Sequence, residues 1–177
     1  MIVERRAHLG RLLPPNAHVV EIGVAEGRFS LEILRWGVAR LYLVDTWAPI
    51  PDNRGTGGWP QEWHEKNWAR MNENVAPFID RVTILRGLSH DMAFKVPDES
   101  LDMVYLDGDH SYKGVFVDLH CWFPKLKQGG IMAGHDYLNS AYGVRDAVET
   151  FVGSAYPIHI IPEAHAPEGA GFWFRNE

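Results

Sequence analysis

Five side chains with metal-ligand and acid–base chemistry fall in two short runs. Asp107, Asp109 and His110 stand in Leu-Asp-Gly-Asp-His, and His135 and Asp136 in Gly-His-Asp-Tyr. Carboxylates crowded on one rim repel each other unless a proton or cation intervenes. Asp and His around an oxygen-rich pocket suit magnesium or manganese better than a closed zinc site. An imidazole, with a reference pKa near neutrality, is also a ready proton acceptor. Each residue taken singly has a structural reading as well. Asp109 and His110, with Ser111, can cap a following helix, and His135 can be a buried imidazole held by backbone. Five together, at the ends of apolar runs, point to a site.

A second constellation lies near the start of the chain. Residues 19–30 read Val-Val-Glu-Ile-Gly-Val-Ala-Glu-Gly-Arg-Phe-Ser. Val19, Val20, Ile22 and Val24 are β-formers, Gly23 and Gly27 break the run, and Leu31, Ile33 and Leu34 return at helical spacing. Strand, glycine turn and helix let the backbone approach a ligand closely and present free N–H groups to it. Glu21, inside the apolar run, needs a hydrogen-bond donor, because an unpaired buried carboxylate is costly. Asp45 closes the next β-forming run, where a carboxylate can accept from a ribose diol or simply be solvated.

The elements that must position these residues follow from periodicity. Residues 4–13 read as a short amphipathic helix within an N-terminal segment, 1–16, that stops before Pro14-Pro15. Strands are expected at 19–24, 39–45, 81–87, 101–108 and 131–134, with helices at 29–36, 61–75, 112–126 and 143–152 and a short helical segment from Ser89 toward Pro97. The last two β-forming runs, 158–161 and 171–174, suggest a hairpin. Strand–helix alternation argues a parallel sheet with helices on both faces, and ligands then bind beyond the carboxyl ends of the strands. Glu21 through Gly27, Asp45, Ser89, Asp107 through His110, and His135-Asp136 all fall on that rim. The Pro- and Gly-rich stretch 46–60 is a long loop, read as mobile and as a candidate lid. Trp47, Trp59 and Trp63 lie in or beside it, and serve equally well as a substrate wall or as cover for a core edge.

Length, charge and composition bound the rest. The chain has 177 residues, 46% of them hydrophobic, and a net charge of −6. That is one domain with a real core and no broad basic surface for nucleic acid. No apolar run approaches the roughly 20 residues of a membrane span, and no signal-peptide core follows the N-terminus. Cys121 is the only cysteine, which fits a reducing cytoplasm and, among Leu119, Trp122 and Phe123, a small buried hydrophobe.

The pattern Glu21-x-Gly23-x-x-x-Gly27 departs from the dinucleotide fingerprint and resembles motif I of the class I S-adenosylmethionine-dependent methyltransferases. The run from Val104 to Tyr137, with Asp-Gly-Asp-His-Ser-Tyr-Lys-Gly and Gly-Gly-x-x-x-Gly-His-Asp-Tyr, is similar to the small-molecule O-methyltransferases acting on macrolide and aminocoumarin sugars and to their cephalosporin-biosynthesis relative. The resemblance covers about residues 17–152. It implies a Rossmann-like class I methyltransferase fold: α/β, a mostly parallel seven-stranded sheet with helices on both faces and a C-terminal antiparallel hairpin, as a single domain over 1–177.

By position, the resemblance implies that Gly23 and Gly27 shape the methionine pocket, supported by Glu21 and Ser30, with Ser30 near the methionine carboxylate. It places Asp45 on the ribose, Trp47 against adenine and Ser89 near the adenine amine. Asp107, which borders the cofactor, is the first metal ligand, and His135 and Asp136 take the positions of two further ligands. Histidine at 135 departs from the acidic or amide residue of the relatives. Asp109 matches the general base, with His110 as its rival. Magnesium or manganese and a small-molecule or glycan hydroxyl are implied as partners. The relatives' N-terminal lid helices have little counterpart here, so loop 46–60 or a second copy in a homodimer is expected to cover the site. Two other classes remain open: a metal-dependent phosphoesterase, disfavoured because no Asp-x-His marks the first strand, and a catalytically silent cofactor-binding scaffold of the same fold.

Overall fold

The computed structural model describes residues 3–50, 58–163 and 167–177. Seven strands form one sheet: β1 (His18–Ile22), β2 (Arg40–Asp45), β3 (Val82–Arg86), β4 (Leu101–Leu106), β5 (Leu126–Gly134), β6 (His159–Ile161) and β7 (Gly171–Arg175). Their spatial order is β3-β2-β1-β4-β5-β7-β6. The pairs β1–β2, β1–β4, β2–β3 and β4–β5 are parallel, while β7 is antiparallel to both β5 and β6. The expected C-terminal hairpin is therefore present, with its second strand inserted between β5 and the first.

The helices are α1 (Arg28–Arg35), α2 (Gln61–Val75), α3 (Ser89–Ala93), α4 (Tyr112–Trp122) and α5 (Val144–Val152). They build two cores, one on each face of the sheet. Phe29, Ile33 and Leu34 of α1 and Met71 and Val75 of α2 pack with Val19, Leu41, Leu43, Met103 and Tyr105. Val115, Leu119 and Trp122 of α4 and Val144 and Val148 of α5 pack with Val20, Ile22, Val104, Leu106 and Met132 on the other side. The alternation of Val19–Ile22 and of Met103–Leu106 between these cores is the two-residue period of a strand buried on both faces.

Three expectations change. The N-terminal helix is a 3-10 helix over Arg6–Leu12, a single tight stretch anchored by buried His8 and Leu9. The helix expected over 112–126 stops at Trp122, because Pro124 lies in a following 3-10 turn, and Leu126 already begins β5. That strand runs through Gly129-Gly130 with a register shift against β4 between Leu101 and Met103, so the glycines lie inside the strand. Residues 51–57, the middle of loop 46–60, lie outside the described residues, as does the lid expectation placed on the loop. No described helix is long and apolar enough to cross a membrane.

Candidate active site

The carboxyl ends of β1, β2 and β4 open onto one cavity of about 960 Å³. It is bordered by the glycine turn, by Asp45, by Leu88 and Ser89 and by Asp107 through His110. The parallel register makes this so: Ile22, Val44 and Leu106 are level across three adjacent strands, so the polar residues that follow them emerge side by side.

The glycine turn is tied to its neighbours by backbone. Gly23 N–H donates to Val44 O at 2.9 Å, and Asp107 N–H to Ile22 O at 2.8 Å. Gly23 has φ of +83°, and a Cβ there would meet the Asp107 carbonyl oxygen at 2.1 Å. Its glycine is thus demanded first by the meeting of two strand ends. Gly27, at φ +77°, is the N-cap of α1, and Ala25 also lies in the left-handed region at +48°.

Asp45 is the turn's clamp. Its Oδ2 accepts from the N–H groups of Val24 and Ala25, each at 2.9 Å, and its Oδ1 from Trp47 N–H at 2.9 Å. Trp47 is fully buried. Its indole N–H donates to Ala25 O at 2.8 Å, and its ring meets Trp68 edge to face at 4.8 Å. Trp47 thus enters the site as a packed wall behind Asp45 and offers no exposed face for stacking. Trp63, against Trp59 at 4.7 Å, reaches the cavity rim from α2.

Glu21 is buried beneath the turn and accepts a short hydrogen bond from the Ser30 hydroxyl. Burial pushes its carboxyl up to about 8, against the Ser30 bond that lowers it, and nearby Asp107 adds to the rise. The donor that Glu21 was expected to need is therefore a side chain of α1. Ser30, itself wholly buried, spends its hydroxyl on Glu21 rather than on the cavity.

At the far end, three ligand-type atoms of Asp107, His110 and Asp136 gather within 4.8 Å of one another. His110 Nε2 stands 3.3 Å from Asp107 Oδ1 and 3.2 Å from Asp136 Oδ2, and its ring stacks on Tyr142 at 4.8 Å. Burial works to lower the His110 pKa, but the hydrogen bond to Asp107 and the charges of Asp107 and Asp136 outweigh it and raise it. Asp136 is held below its ordinary range: burial opposes this, and His135 and His110 more than compensate. The backbone of Asp136 lies in the left-handed region at φ +56°. His135 was expected among the ligands. It stands outside the gathered set, with Nδ1 3.1 Å from Asp136 Oδ2, while His110, expected as a base, lies within it.

Asp109 and Ser89 also border the cavity, with structural ties of their own. Asp109 Oδ1 accepts from Ser111 N–H at 2.8 Å, next to the α4 N-cap, where Ser111 Oγ accepts from Gly114 N–H at 3.0 Å. Ser89 Oγ accepts from Trp122 Nε1–H at 2.7 Å. Sequence reasoning gave no site role to Asp118, which borders the same cavity and whose carboxyl burial pushes up to about 7 against a lowering bond from Ser89. A lone carboxylate on the otherwise apolar face of Val115, Leu119 and Trp122 was its available signal. Cys121 is only partly buried and also reaches the cavity. Arg6, from the N-terminal 3-10 helix, was likewise missed and had no local signature.

This sheet order, with one antiparallel strand inserted next to the edge and the cavity over the central strand ends, defines a Rossmann-like class I methyltransferase fold. The chain belongs to the methyltransferase-domain family, whose model matches residues 20–137. It is 27% identical over 124 residues to an uncharacterized protein, y4gI, of Sinorhizobium fredii, a match covering 67% of this chain and 13% of that much longer relative. Among solved structures it is similar to a putative methyltransferase from Streptococcus mutans in complex with SAH (TM-score 0.69, 11% identity, 98% of this chain and 99% of that one). It is also similar to the O-methyltransferase NovP (TM-score 0.67, 21% identity, 96% and 74%). Family membership sets the chain among methyltransferases and away from the phosphoesterases.

Proposed function

We propose that this protein transfers the methyl group of S-adenosylmethionine to a hydroxyl of a small molecule or glycan, assisted by magnesium or manganese. The observation that carries the reading is the continuity of one cavity from the glycine turn and Asp45 to Asp107 and His110. Its volume lies at the upper end of the range for small-ligand pockets, room for a cofactor and an acceptor together. The similarity to an O-methyltransferase supports the choice of a hydroxyl acceptor.

In this reading Gly23 and Gly27 keep the backbone close to the methionine half, over the Glu21–Ser30 pair. Asp45 keeps one lone pair of Oδ1 for a ribose hydroxyl, since its other bonds hold the turn. Ser89 and Asp118 form the polar end of the adenine face. Asp107, His110 and Asp136 are a fit donor set for a hard divalent ion: two carboxylates and an imidazole converge, and His110 between two carboxylates marks a place that favours positive charge. Such an ion supplies Lewis acidity that lowers the acceptor hydroxyl's pKa, and the cofactor supplies an already activated methyl group. The chain's own part is to orient the acceptor and to take its proton. Asp109 is the base favoured here, because the His110 Nε2 is occupied by two carboxylates. His135 positions Asp136.

The test is transfer of labelled methyl from S-adenosylmethionine across phenols, sugars and carrier-bound acceptors, with and without Mg²⁺ or Mn²⁺. Metal-stimulated labelling of a hydroxyl acceptor is the expected result. Cofactor binding with no transfer under any condition would point to the silent scaffold instead.

A further inference from the structure

The N-terminal 3-10 helix precedes the residues that the family model matches, yet it delivers a charge to the cavity. Leu9, wholly buried, pins this helix to the core on the α1 face. The Arg6 guanidinium lies half-buried with its carbon 4.9 Å from the centre of the Phe29 ring, a cation–π contact. Beside it is the buried Tyr105 hydroxyl, whose one polar neighbour of note is the Arg6 guanidinium itself.

Among the described residues Arg6 is the half-buried cavity cation without a direct ion pair, with Asp107 and Glu163 near enough only to raise its pKa. Arg28 pairs with Glu26 and is largely exposed, and Lys113 is exposed on α4. Arg6 makes no ion pair with a described residue. A half-buried guanidinium with no carboxylate in direct contact is costly unless something completes it. The residue at the glycine-turn end from which an incoming carboxylate would have drawn a hydrogen bond, Ser30, is wholly buried and committed to Glu21.

We propose that Arg6 binds the α-carboxylate of the cofactor's amino-acid end, making the N-terminal 3-10 helix part of the cofactor site. The inference rests on the methyltransferase reading above. The planar fork matches a carboxylate by paired N–H bonds, while Phe29 lies against it. It also explains why the segment is anchored at Leu9 and next to α1: a mobile arm would lose the orientation that makes an arginine selective for a carboxylate.

The experiment is calorimetric binding of three ligands to the full chain: S-adenosylhomocysteine, its decarboxylated analogue, and 5′-methylthioadenosine, which lacks the amino-acid end. The wild type is expected to prefer S-adenosylhomocysteine over the decarboxylated analogue by about 10- to 100-fold, the scale of a charge-assisted hydrogen-bonded pair. Arg6→Gln should erase most of that preference and leave 5′-methylthioadenosine affinity unchanged. Arg6→Lys, with the charge but not the fork, should retain part of it. A preference that survives Arg6→Gln, or an equal loss for all three ligands, overturns the proposal. Should Arg6→Gln fail to fold, the wild type and Arg6→Lys decide: equal wild-type affinities for acid and decarboxylated analogue, or a preference undiminished in Arg6→Lys, overturn it, and a strong preference weakened in Arg6→Lys upholds it. If the wild type binds none of the three, the methyltransferase reading itself fails, an outcome distinct from failure of Arg6 alone.

Discussion

At the scale of single residues, Glu21 shows how burial sets a proton. Its carboxyl, shut beneath the glycine turn, is pushed up to about 8 from an ordinary value of 4.5. The folded state therefore binds a proton that the unfolded chain has given up. Stability falls as pH rises from about 4.5 toward 8, and is fully restored below the lower value. Glu21→Gln keeps an acceptor for Ser30 and removes the titration. We expect the variant to flatten the pH dependence of the urea midpoint over that window and to be more stable than wild type at pH 8 by on the order of a few kcal/mol. Asp45 carries a double duty. Asp45→Ala leaves the N–H groups of Val24, Ala25 and Trp47 without their acceptor, and should cost about 1–3 kcal/mol in fold stability besides weakening cofactor binding. Thermal melts and calorimetry on the same sample separate the two losses. Within the metal-type cluster, His110→Ala should weaken Mn²⁺ binding, followed by the ion's paramagnetic resonance, more than His135→Ala does, because only His110 joins the gathered atoms. Equal effects would return His135 to the ligand set.

At the scale of elements, the meeting of β1 and β4 decides the site. Both the Gly23 conformation and the Asp107 carbonyl occupy the space where a side chain would have to go. Gly23→Ala should therefore cost more than about 3 kcal/mol, whereas Gly37→Ala, with φ +83° but nothing within 4 Å, should cost only the left-handed penalty of about 1 kcal/mol. Chemical denaturation of the two variants checks the difference. The glycine turn was legible in the sequence because glycine at a strand end has few other uses. That its tightest neighbour is another strand, and that Ser30 answers Glu21, was not, because both depend on pairings distant in the chain. Helix ends were legible where a local signal exists. The expected end of α1 at 36 holds to within a residue, with Gly37 following the C-cap, while the α4 end was read too long because Leu126 continues the apolar pattern past Pro124 into β5.

At the scale of the whole molecule, two cores clamp one sheet, and the cavity sits where the clamped strands end. A ligand filling it touches β1, β2, β4 and the starts of α1 and α3 together, so its binding energy should appear as global stability. S-adenosylhomocysteine at 100 times its dissociation constant should add about 2.7 kcal/mol and raise the melting temperature by about 5–10 °C. A scan of melting temperature against ligand concentration measures this, and an unchanged melt would argue that the cavity does not hold the cofactor.

Strand–helix alternation, the terminal β-forming pair and the polar residues closing each strand run were all in the linear order of the amino acids. Hydrophobic period and turn chemistry are local, so they survive in one dimension, and with parallel strands they already place Asp45, Asp107 and Asp136 on a common rim. What the order of residues leaves open is which neighbours on that rim touch. The choice of His110 over His135, the burial of Trp47 and the arrival of Arg6 from the other end of the chain each turn on distances of a few ångströms. Such distances are fixed only when the packed sheet brings separate strand ends together, and there the low dielectric and close packing, not residue type alone, decide which groups are charged, paired or free.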